Sequence, residues 1–227
     1  MPLPRRRTTS TTTPHDPVHH PLFARFYARA STAAETRAGI APLRRELLHG
    51  VSGRVIEIGA GNGLNFPHYP RAVSEVVAVE PERTLRRLAA SAALRCDVPV
   101  DVVPGAAEAL PVKSEAFDAA VASLVLCTVR DLHRSLAELH RVLRPDAELR
   151  FFEHARAPGP GMAALQRTLD RTVWPHLFGG CHTARDPLAA IEAAGFRIVS
   201  QRSLRLPARG PALPTSYCVI GSARRVA

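Results

Sequence analysis

A glycine-rich segment, Glu57-Ile-Gly59-Ala-Gly61-Asn-Gly63, ends an apolar run and carries the most specific chemistry in the chain. Glycines at the end of a strand let the backbone turn tightly and let a ligand approach it closely. The free N–H groups at the start of a following helix can then receive an anionic group. Dinucleotide-binding loops read G-x-G-x-x-G, whereas here the third glycine comes one residue early. The spacing therefore argues against a pyrophosphate ligand.

A second acidic residue, Glu80, follows the apolar run Val-Val-Ala-Val. A carboxylate at the carboxyl end of a parallel strand can accept hydrogen bonds from both hydroxyls of a ribose. The alternative is a solvated surface acid, which a position directly after a buried strand disfavours. Together the glycine loop and Glu80 predict a site for a nucleoside with a carboxylate-bearing tail.

Apolar runs of strand length alternate with helical patterns from residue 51 onward. Strands that are apolar on both faces and alternate with helices indicate a parallel sheet covered on both sides. Two further strands are predicted near the carboxyl end. The predicted fold class is α/β: a doubly wound, mostly parallel seven-stranded sheet with helices on both faces.

Three segments differ in composition. Residues 1–20 are rich in Thr, Pro and His and predict a disordered tail. Residues 21–50 carry two helical patterns and predict a helical N-terminal cover. Residues 51–227 contain the predicted ligand-binding domain. The tail histidines His15, His19 and His20 could bind a metal, but no further ligand at helical or hairpin spacing supports such a site.

The formal charge of +10 would by itself suggest a nucleic-acid partner. Almost all of the 30 basic residues are Arg, with Lys113 as the exception, and they are scattered. Aromatic residues make up 5% of the chain, so basic and aromatic side chains do not interleave as a base-stacking surface requires. We therefore expect no nucleic-acid partner.

The cysteines Cys96, Cys127, Cys181 and Cys218 are far apart in the chain and form no CxxC pair. This spacing favours reduced thiols over a disulfide or a zinc site. No apolar run reaches the length of a membrane span, and no apolar stretch follows the N-terminal arginines. We expect a cytoplasmic protein without a membrane span, a disulfide or a bound metal.

Several motifs occur in the order and spacing of a known family. They are E-I-G-A-G-N-G, V-V-A-V-E-P, G-A-A-E-A-L-P, F-D-A-A-V-A-S and R-V-L-R-P, between residues 50 and 155. Together they resemble the class I S-adenosylmethionine-dependent methyltransferases, nearest to the type 11 domain of ubiquinone and menaquinone biosynthesis enzymes. The resemblance implies a Rossmann-like sheet and S-adenosylmethionine as cofactor.

The resemblance also implies the residues that bind the cofactor. The glycine loop would wrap its methionine part, Glu80 would hold the ribose, and the segment after residue 105 would line the adenine pocket. The implied set is Glu57, Gly59, Ala60, Gly61, Gly63, Asn65, Glu80, Pro81, Ala106, Ala107, Glu108 and Ser123. Many relatives have Asp where this chain has Ala106, and the usual RPGG turn reads Arg-Pro-Asp-Ala from residue 144.

A finer resemblance extends to the carboxyl end. The segments S-L-V-L-C-T-V-R-D, F-F-E-H-A-R-A and W-P-H-L-F-G-G-C-H-T-A-R-D are similar to methyltransferase-like proteins that methylate small thiols. This similarity implies a small, apolar acceptor, with a thiol ahead of a phenol or an amine. Phospholipid or small-molecule N/O-methylation remains an alternative. An NAD-dependent oxidoreductase is disfavoured by the early third glycine.

His154, at the end of a predicted strand, is the candidate general base, although it could instead fix the loop that follows. The predicted acceptor-binding residues are Phe26, Tyr27, Trp174, Cys181 and His182. Core packing would equally explain Phe26 and Tyr27, and packing against the sheet is the favoured role of Trp174. Cys127 is expected to behave as a small buried hydrophobe.

Overall fold

The strands and helices follow the predicted alternation. A computed structural model describes residues 21–37 and 39–226, and the predicted tail 1–20 lies outside these residues. The strands are β1 (Gly53–Ile58), β2 (Val73–Val79), β3 (Val100–Val103), β4 (Phe117–Ser123), β5 (Leu143–His154), β6 (Phe196–Arg205) and β7 (Tyr217–Arg225). The helices are α1 (Pro21–Arg37), α2 (Ile40–Leu48), α3 (Arg83–Ala93), α4 (Leu132–Val142), α5 (Pro160–Asp170), α6 (Trp174–Leu177) and α7 (Pro187–Ala193).

All seven strands form one sheet in the order β3-β2-β1-β4-β5-β7-β6. The first five strands are parallel, while β7 runs antiparallel to both of its neighbours. The predicted fold class is therefore confirmed. The strand order reverses between β1 and β4, and ligands of open α/β sheets bind at the carboxyl ends of the strands beside such a reversal.

The apolar residues of the central strands divide between the two faces of the sheet because side chains alternate along a strand. Ile56 and Ile58 face a core that includes Leu136 of α4. Val55 faces the opposite core, together with Leu47 of α2. A strand buried on both faces must be apolar throughout, which explains the continuous apolar runs of the sequence.

Three helices, α3, α4 and α7, each begin with an acidic residue that caps the first turn. The carboxylates of Glu82, Asp131 and Asp186 accept hydrogen bonds from backbone N–H groups in the first turns of α3, α4 and α7. Such caps satisfy N–H groups that have no partner within the helix. They fix where each helix leaves the edge of the sheet that carries the ligand site.

Helix α4 ends earlier than its sequence pattern predicts, because the segment D-L-H-R-S-L-A-E-L-H-R-V-L-R continues the helical pattern to Arg144. Helix α4 ends at Val142, and β5 starts at the next residue. The difference follows from Pro145, because the residue before a proline is disfavoured in a helix. Asp146 then adopts φ +60°, the left-handed turn that glycine usually occupies in the RPGG segment.

The two N-terminal helices have different roles. The buried residues Leu43, Leu47 and Leu48 of α2 belong to the core of the sheet. Helix α1 lies outside that core, where Ala24 and Ala28 pack against α3. Among the described residues, no helix has the length and hydropathy needed to cross a membrane.

Candidate active site

The glycine loop after β1 has a backbone that other residues would strain. Gly59, Gly61 and Gly63 have φ values of +60°, +58° and +80°, in the left-handed region. A Cβ at Gly59 would lie 2.2 Å from Val125 Cγ2, and one at Gly63 would lie 2.8 Å from the Phe66 ring. The loop therefore needs glycine for close packing as well as for conformation.

Glu57 fastens the far end of this loop to β1. Its Oε1 accepts a hydrogen bond from Asn65 Nδ2 at 2.8 Å, and its Oε2 accepts one from the Tyr69 hydroxyl at 2.7 Å. Burial raises the pKa of Glu57 to about 7, against the opposing effect of these hydrogen bonds. These two contacts hold the carboxyl-terminal part of the loop against β1.

Glu80 at the end of β2 contacts the same loop. Its Oε2 accepts a hydrogen bond from the Gly61 N–H at 2.7 Å, and its Oε1 accepts one from the Glu82 N–H at 2.9 Å. Burial raises the pKa of Glu80 to about 7. Each oxygen of a carboxylate has a second lone pair, so Glu80 can still accept hydrogen bonds from ligand hydroxyls.

Arg44 of α2 is a buried cation at this site that the sequence analysis missed. Its Nη1 donates to Asn65 Oδ1 at 2.7 Å and to the Ser123 hydroxyl at 3.2 Å, while its Nε pairs with Glu35 at 2.9 Å. The signal was the helical spacing of the buried leucines in α2, which puts position 44 on the inward face. A buried guanidinium there can receive the carboxylate of a ligand tail.

Helix α1 lies directly over the glycine loop. The Tyr27 ring comes within 3.7 Å of the position that a Cβ on Gly61 would take, and Asn62 hydrogen-bonds to Ser31 and Thr32 at 3.4 and 3.3 Å. The free space among Tyr27, Arg44 and the loop is about 20 Å³, which is enough for one water. Burial raises the pKa of Tyr27 to about 12. Helix α1 therefore closes the space above the glycine loop.

The remaining residues of the predicted cofactor set lie beyond β2 and β3. Ala106 pairs with Ala109 in an isolated bridge, and Ala107 is buried in the core. The Glu108 carboxylate accepts a hydrogen bond from the Arg130 N–H at 2.8 Å, just before α4. The carbonyl of Pro81 accepts a hydrogen bond from the Arg86 guanidinium. These contacts hold the segment beside the ends of β2 and β3.

An apolar cavity of about 170 Å³ lies at the carboxyl ends of β4 and β5, where its lining includes Leu124, the residue after Ser123. It is lined by Ile40, Leu124, Phe152, His154, Leu206, Thr215 and Cys218. The predicted base His154 is the last residue of β5 and forms part of the wall. The structure thus places His154 beside a space that is large enough for a small apolar molecule.

Cys181 and Cys127 lie close to the His154 ring, with their sulfur atoms within 4.8 Å of a ring nitrogen. Cys181 Sγ is 3.7 Å from His154 Nδ1. The Cys127 thiol lowers the pKa of Cys181 by hydrogen bonding, with His154 acting in the same direction against burial. Cys127 is buried as predicted, but its contacts are to polar groups as well as to the apolar core.

The loop that carries Cys127 is held by Glu153, which is fully buried. Its Oε1 accepts hydrogen bonds from the N–H groups of Val125 and Leu126, and its Oε2 accepts one from Cys127. Burial raises the pKa of Glu153 to about 7. The loop after β4 is thereby fixed against the end of β5.

Residues 171–186, between α5 and α7, form a cover segment that contacts the loop carrying Cys127. The N–H of His182 donates to the Cys127 carbonyl at 2.7 Å, and the His182 ring contacts the Gly180 carbonyl. Trp174 stacks on Phe178 with ring centroids 4.1 Å apart. Phe26 of α1 is 63% exposed and lies outside both cavities. The structure therefore brings Cys181 to His154, places Tyr27 at the glycine loop and leaves Phe26 on the surface.

The sequence matches a family model described as a methyltransferase domain over residues 56–151. The thiol S-methyltransferase TMT1B of Mus musculus is 32% identical over 208 residues, which cover 87% of this chain and 84% of the mouse protein. The phosphatidylethanolamine N-methyltransferase of Cereibacter sphaeroides is 30% identical over 151 residues, which cover 57% of this chain and 66% of that protein.

Solved structures agree with the fold. An S-adenosylmethionine-dependent methyltransferase from Thermotoga maritima superposes with a TM-score of 0.64 at 22% identity, covering 90% of this chain and 98% of the other. At that identity the likeness shows the fold alone. The matched domain, the long match to the mouse protein and the shared fold together show that this chain belongs to the class I S-adenosylmethionine-dependent methyltransferases.

Proposed function

We propose that this protein transfers the methyl group of S-adenosylmethionine to a small apolar thiol. The observation that carries the proposal is the apolar cavity of about 170 Å³ at the carboxyl end of β5, with His154 in its wall. It lies at the carboxyl edge of the sheet, the same edge that carries the glycine loop, and this is the edge at which open α/β sheets bind their ligands. The mouse relative that matches most of this chain is named a thiol S-methyltransferase.

The residues around the glycine loop fit the chemistry of the cofactor. When bound, S-adenosylmethionine supplies a methyl group on a positively charged sulfur. Glu80 accepts hydrogen bonds from the ribose hydroxyls, and Arg44 pairs with the carboxylate of the methionine part. Glu57 keeps Asn65 in place, so the loop can approach the ligand closely. Pro81 and residues 106–108 would line the adenine pocket, and Ser123 would contact the cofactor at the end of β4.

Cofactor entry requires a movement of α1. The space of about 20 Å³ under Tyr27 does not accommodate the methionine part of the cofactor. The hydrogen bonds that join Asn62 to α1 are 3.3 to 3.5 Å long, at the weak end of the range. We infer that α1 opens for the cofactor and then covers it. Tyr27 would then lie over the bound cofactor, with Trp174, Cys181 and His182 on the acceptor side.

The acceptor cavity favours a thiol over a charged amine or a lipid. Its wall is mostly apolar, so a small sulfur compound loses little solvation on entering, whereas an ammonium group would lose much. The volume is too small for a phospholipid with its chains. His154 is the side chain in the wall with a nitrogen that can contact the reacting atom, and we assign it the contact with the acceptor.

The test is a transfer assay with methyl-labelled S-adenosylmethionine and four acceptors: thiophenol, phenol, aniline and vesicles of phosphatidylethanolamine. We expect label on thiophenol at the highest kcat/KM. Label on the vesicles alone would support the alternative that the Cereibacter relative suggests. Absence of transfer to all four, with binding of S-adenosylhomocysteine intact, would overturn the choice of acceptor.

A further inference from the structure

Three donor atoms that can bind a metal lie close together next to the acceptor cavity, and one of them belongs to His154 in the cavity wall. Cys127 follows β4, His154 ends β5, and Cys181 lies in the cover segment before α7. One ligand atom from each residue lies within 4.8 Å of the other two. Cys127 and Cys181 are almost fully buried, and neither is in a disulfide. Two thiols and one imidazole are thus collected at one point from three distant segments.

The separations fit a tetrahedral zinc ion. Zinc binds sulfur at about 2.3 Å and nitrogen at about 2.0 Å, so tetrahedral ligand atoms lie about 3.6 to 3.8 Å apart. The distance from Cys181 Sγ to His154 Nδ1 is 3.7 Å. The Cys127 sulfur lies within 4.8 Å of each of the other two ligand atoms. A small rotation of its side chain would therefore bring it to the distance that a shared zinc ion requires.

The backbone on either side of the ligands is fixed independently of any ligand contact. Glu153 holds the N–H groups of the Cys127 loop, and Arg185 binds the carbonyls of Leu126 and Val129. Gly180 has φ +86°, and a Cβ there would lie 3.1 Å from the Thr128 carbonyl. The glycine therefore lets the cover segment approach the Cys127 loop. Ligands held in this way need little reorganisation to bind a metal.

We propose that Cys127, His154 and Cys181 form a zinc site whose fourth position faces the acceptor cavity and binds the acceptor sulfur. Three protein ligands with one open position are typical of catalytic zinc sites, whereas structural sites have four. Thiolate ligands select zinc over the harder cations magnesium and calcium. The shared residue is His154, which lies both in the cluster and in the cavity wall.

This inference rests on the proposed function for the identity of the fourth ligand. An acceptor thiol would release its proton to water and bind zinc through sulfur as the thiolate, because a thiol that coordinates zinc is deprotonated. The step changes no oxidation state and needs no further reactant. Zinc binding would keep the acceptor sulfur in its nucleophilic thiolate form. Among the described residues, the cavity lining contains no arginine or lysine that could do so instead.

The test measures metal binding on the untagged full chain, separately from activity. Zinc content by mass spectrometry and zinc affinity by competition with a chelating dye are compared for the wild type, Cys127→Ser, His154→Ala and Cys181→Ser. Cys96→Ser is the matched control, because Cys96 lies after α3, outside the cluster. Loss of an outer-shell partner alone weakens metal affinity about 10- to 100-fold, so loss of a ligand should weaken it by about 100-fold or more.

We expect one zinc per chain in the wild type and in Cys96→Ser, with affinity lost in the three other variants. Every variant retains His15, His19 and His20, so a metal held by those residues would remain in all of them. A wild type that binds no zinc, or a Cys181→Ser variant that binds it as tightly, would overturn the proposal. Titration of the same samples with S-adenosylhomocysteine reports whether each variant is folded.

Cobalt(II) in place of zinc tests the open position. Thiolate ligands give cobalt a charge-transfer absorption, and we expect addition of thiophenol to increase it in the wild type. An unchanged spectrum would overturn the role of the acceptor as fourth ligand. A chain that binds zinc through the cluster but neither binds S-adenosylhomocysteine nor methylates a thiol would support the metal site and overturn the proposed function.

Discussion

The cofactor region and the acceptor region are built differently, although they share the carboxyl edge of one sheet. The cofactor region comprises the glycine loop, Glu80 and Arg44, and most of its contacts join residues within about one strand-loop-strand unit. The acceptor region comprises the apolar cavity with Cys127, His154 and Cys181, which three separate segments supply. We propose that the local motif binds the cofactor and that the long-range arrangement selects the acceptor.

The largest effect is expected at the point where the two regions touch. Gly59→Ala would put a Cβ 2.2 Å from Val125, which begins the loop that carries Cys127. Left-handed strain and overpacking together should lower the free energy of unfolding by about 3 kcal/mol. Gly61→Ala has a similar φ, but its Cβ would meet no atom closer than the Tyr27 ring at 3.7 Å, so a loss of about 1 kcal/mol is expected. Equal losses in urea denaturation would contradict this packing.

Arg44→Met tests one end of the cofactor region. We expect affinity for S-adenosylhomocysteine to fall about 30- to 100-fold, because a hydrogen-bonded charged pair contributes about 2 to 3 kcal/mol. Affinity for 5′-methylthioadenosine, which lacks the carboxylate, should stay unchanged. Calorimetric titration of both ligands measures the difference. Arg45→Met is the control, because the adjacent Arg45 is exposed. Equal weakening of both ligands would show that Arg44 acts only through the fold.

Glu80→Gln tests the other end. An amide keeps the shape but loses the charge, and two weakened hydrogen bonds should lower affinity for both ligands about 30-fold. Glu75→Gln on the same strand is the control, since Glu75 is half-exposed and paired with Arg54. If Glu80→Gln affects S-adenosylhomocysteine but not 5′-methylthioadenosine, the ribose assignment is wrong.

The pH dependence of cofactor binding follows from Glu80. Burial raises its pKa to about 7, so the carboxyl is mostly protonated at pH 6 and mostly ionised at pH 8. The ionised form is the better acceptor for ribose hydroxyls, so affinity for S-adenosylhomocysteine should rise about tenfold from pH 6 to pH 8. In Glu80→Gln this rise should be lost. A variant that keeps the full pH dependence would assign it to another group.

The smallest effects concern α1, which spans the two regions. Phe23 packs on Gly179, where a Cβ would lie 2.5 Å from its ring, while Phe26 is 63% exposed. We expect Phe23→Ala to lower the free energy of unfolding by about 1 kcal/mol and to raise the KM for the acceptor. Phe26→Ala should stay within about 0.5 kcal/mol of the wild type. A larger effect of Phe26→Ala would mean that its exposed ring meets the acceptor.

The sequence predicted the strands, the glycine loop and Glu80 because each depends on neighbouring residues. Apolar runs reveal strands that are buried on both faces, and the spacing of Gly59, Gly61 and Gly63 reveals the turn. Arg44 was missed because a single arginine in a short amphipathic helix reads as a surface residue unless its position on the buried face is noticed. The contact between Cys127 and Cys181 could not be predicted, because the two residues lie on separate elements and no spacing pattern in the sequence links them.

The separation of the two regions is tested most directly by steady-state kinetics of Cys181→Ser and Glu80→Gln with thiophenol as acceptor. We expect Cys181→Ser to raise the KM for thiophenol or lower kcat, with the dissociation constant of S-adenosylhomocysteine unchanged. Glu80→Gln should weaken cofactor binding and leave the KM for thiophenol unchanged. If Cys181→Ser weakens cofactor binding as much as Glu80→Gln does, or leaves thiol methylation intact, the two regions do not bind cofactor and acceptor separately.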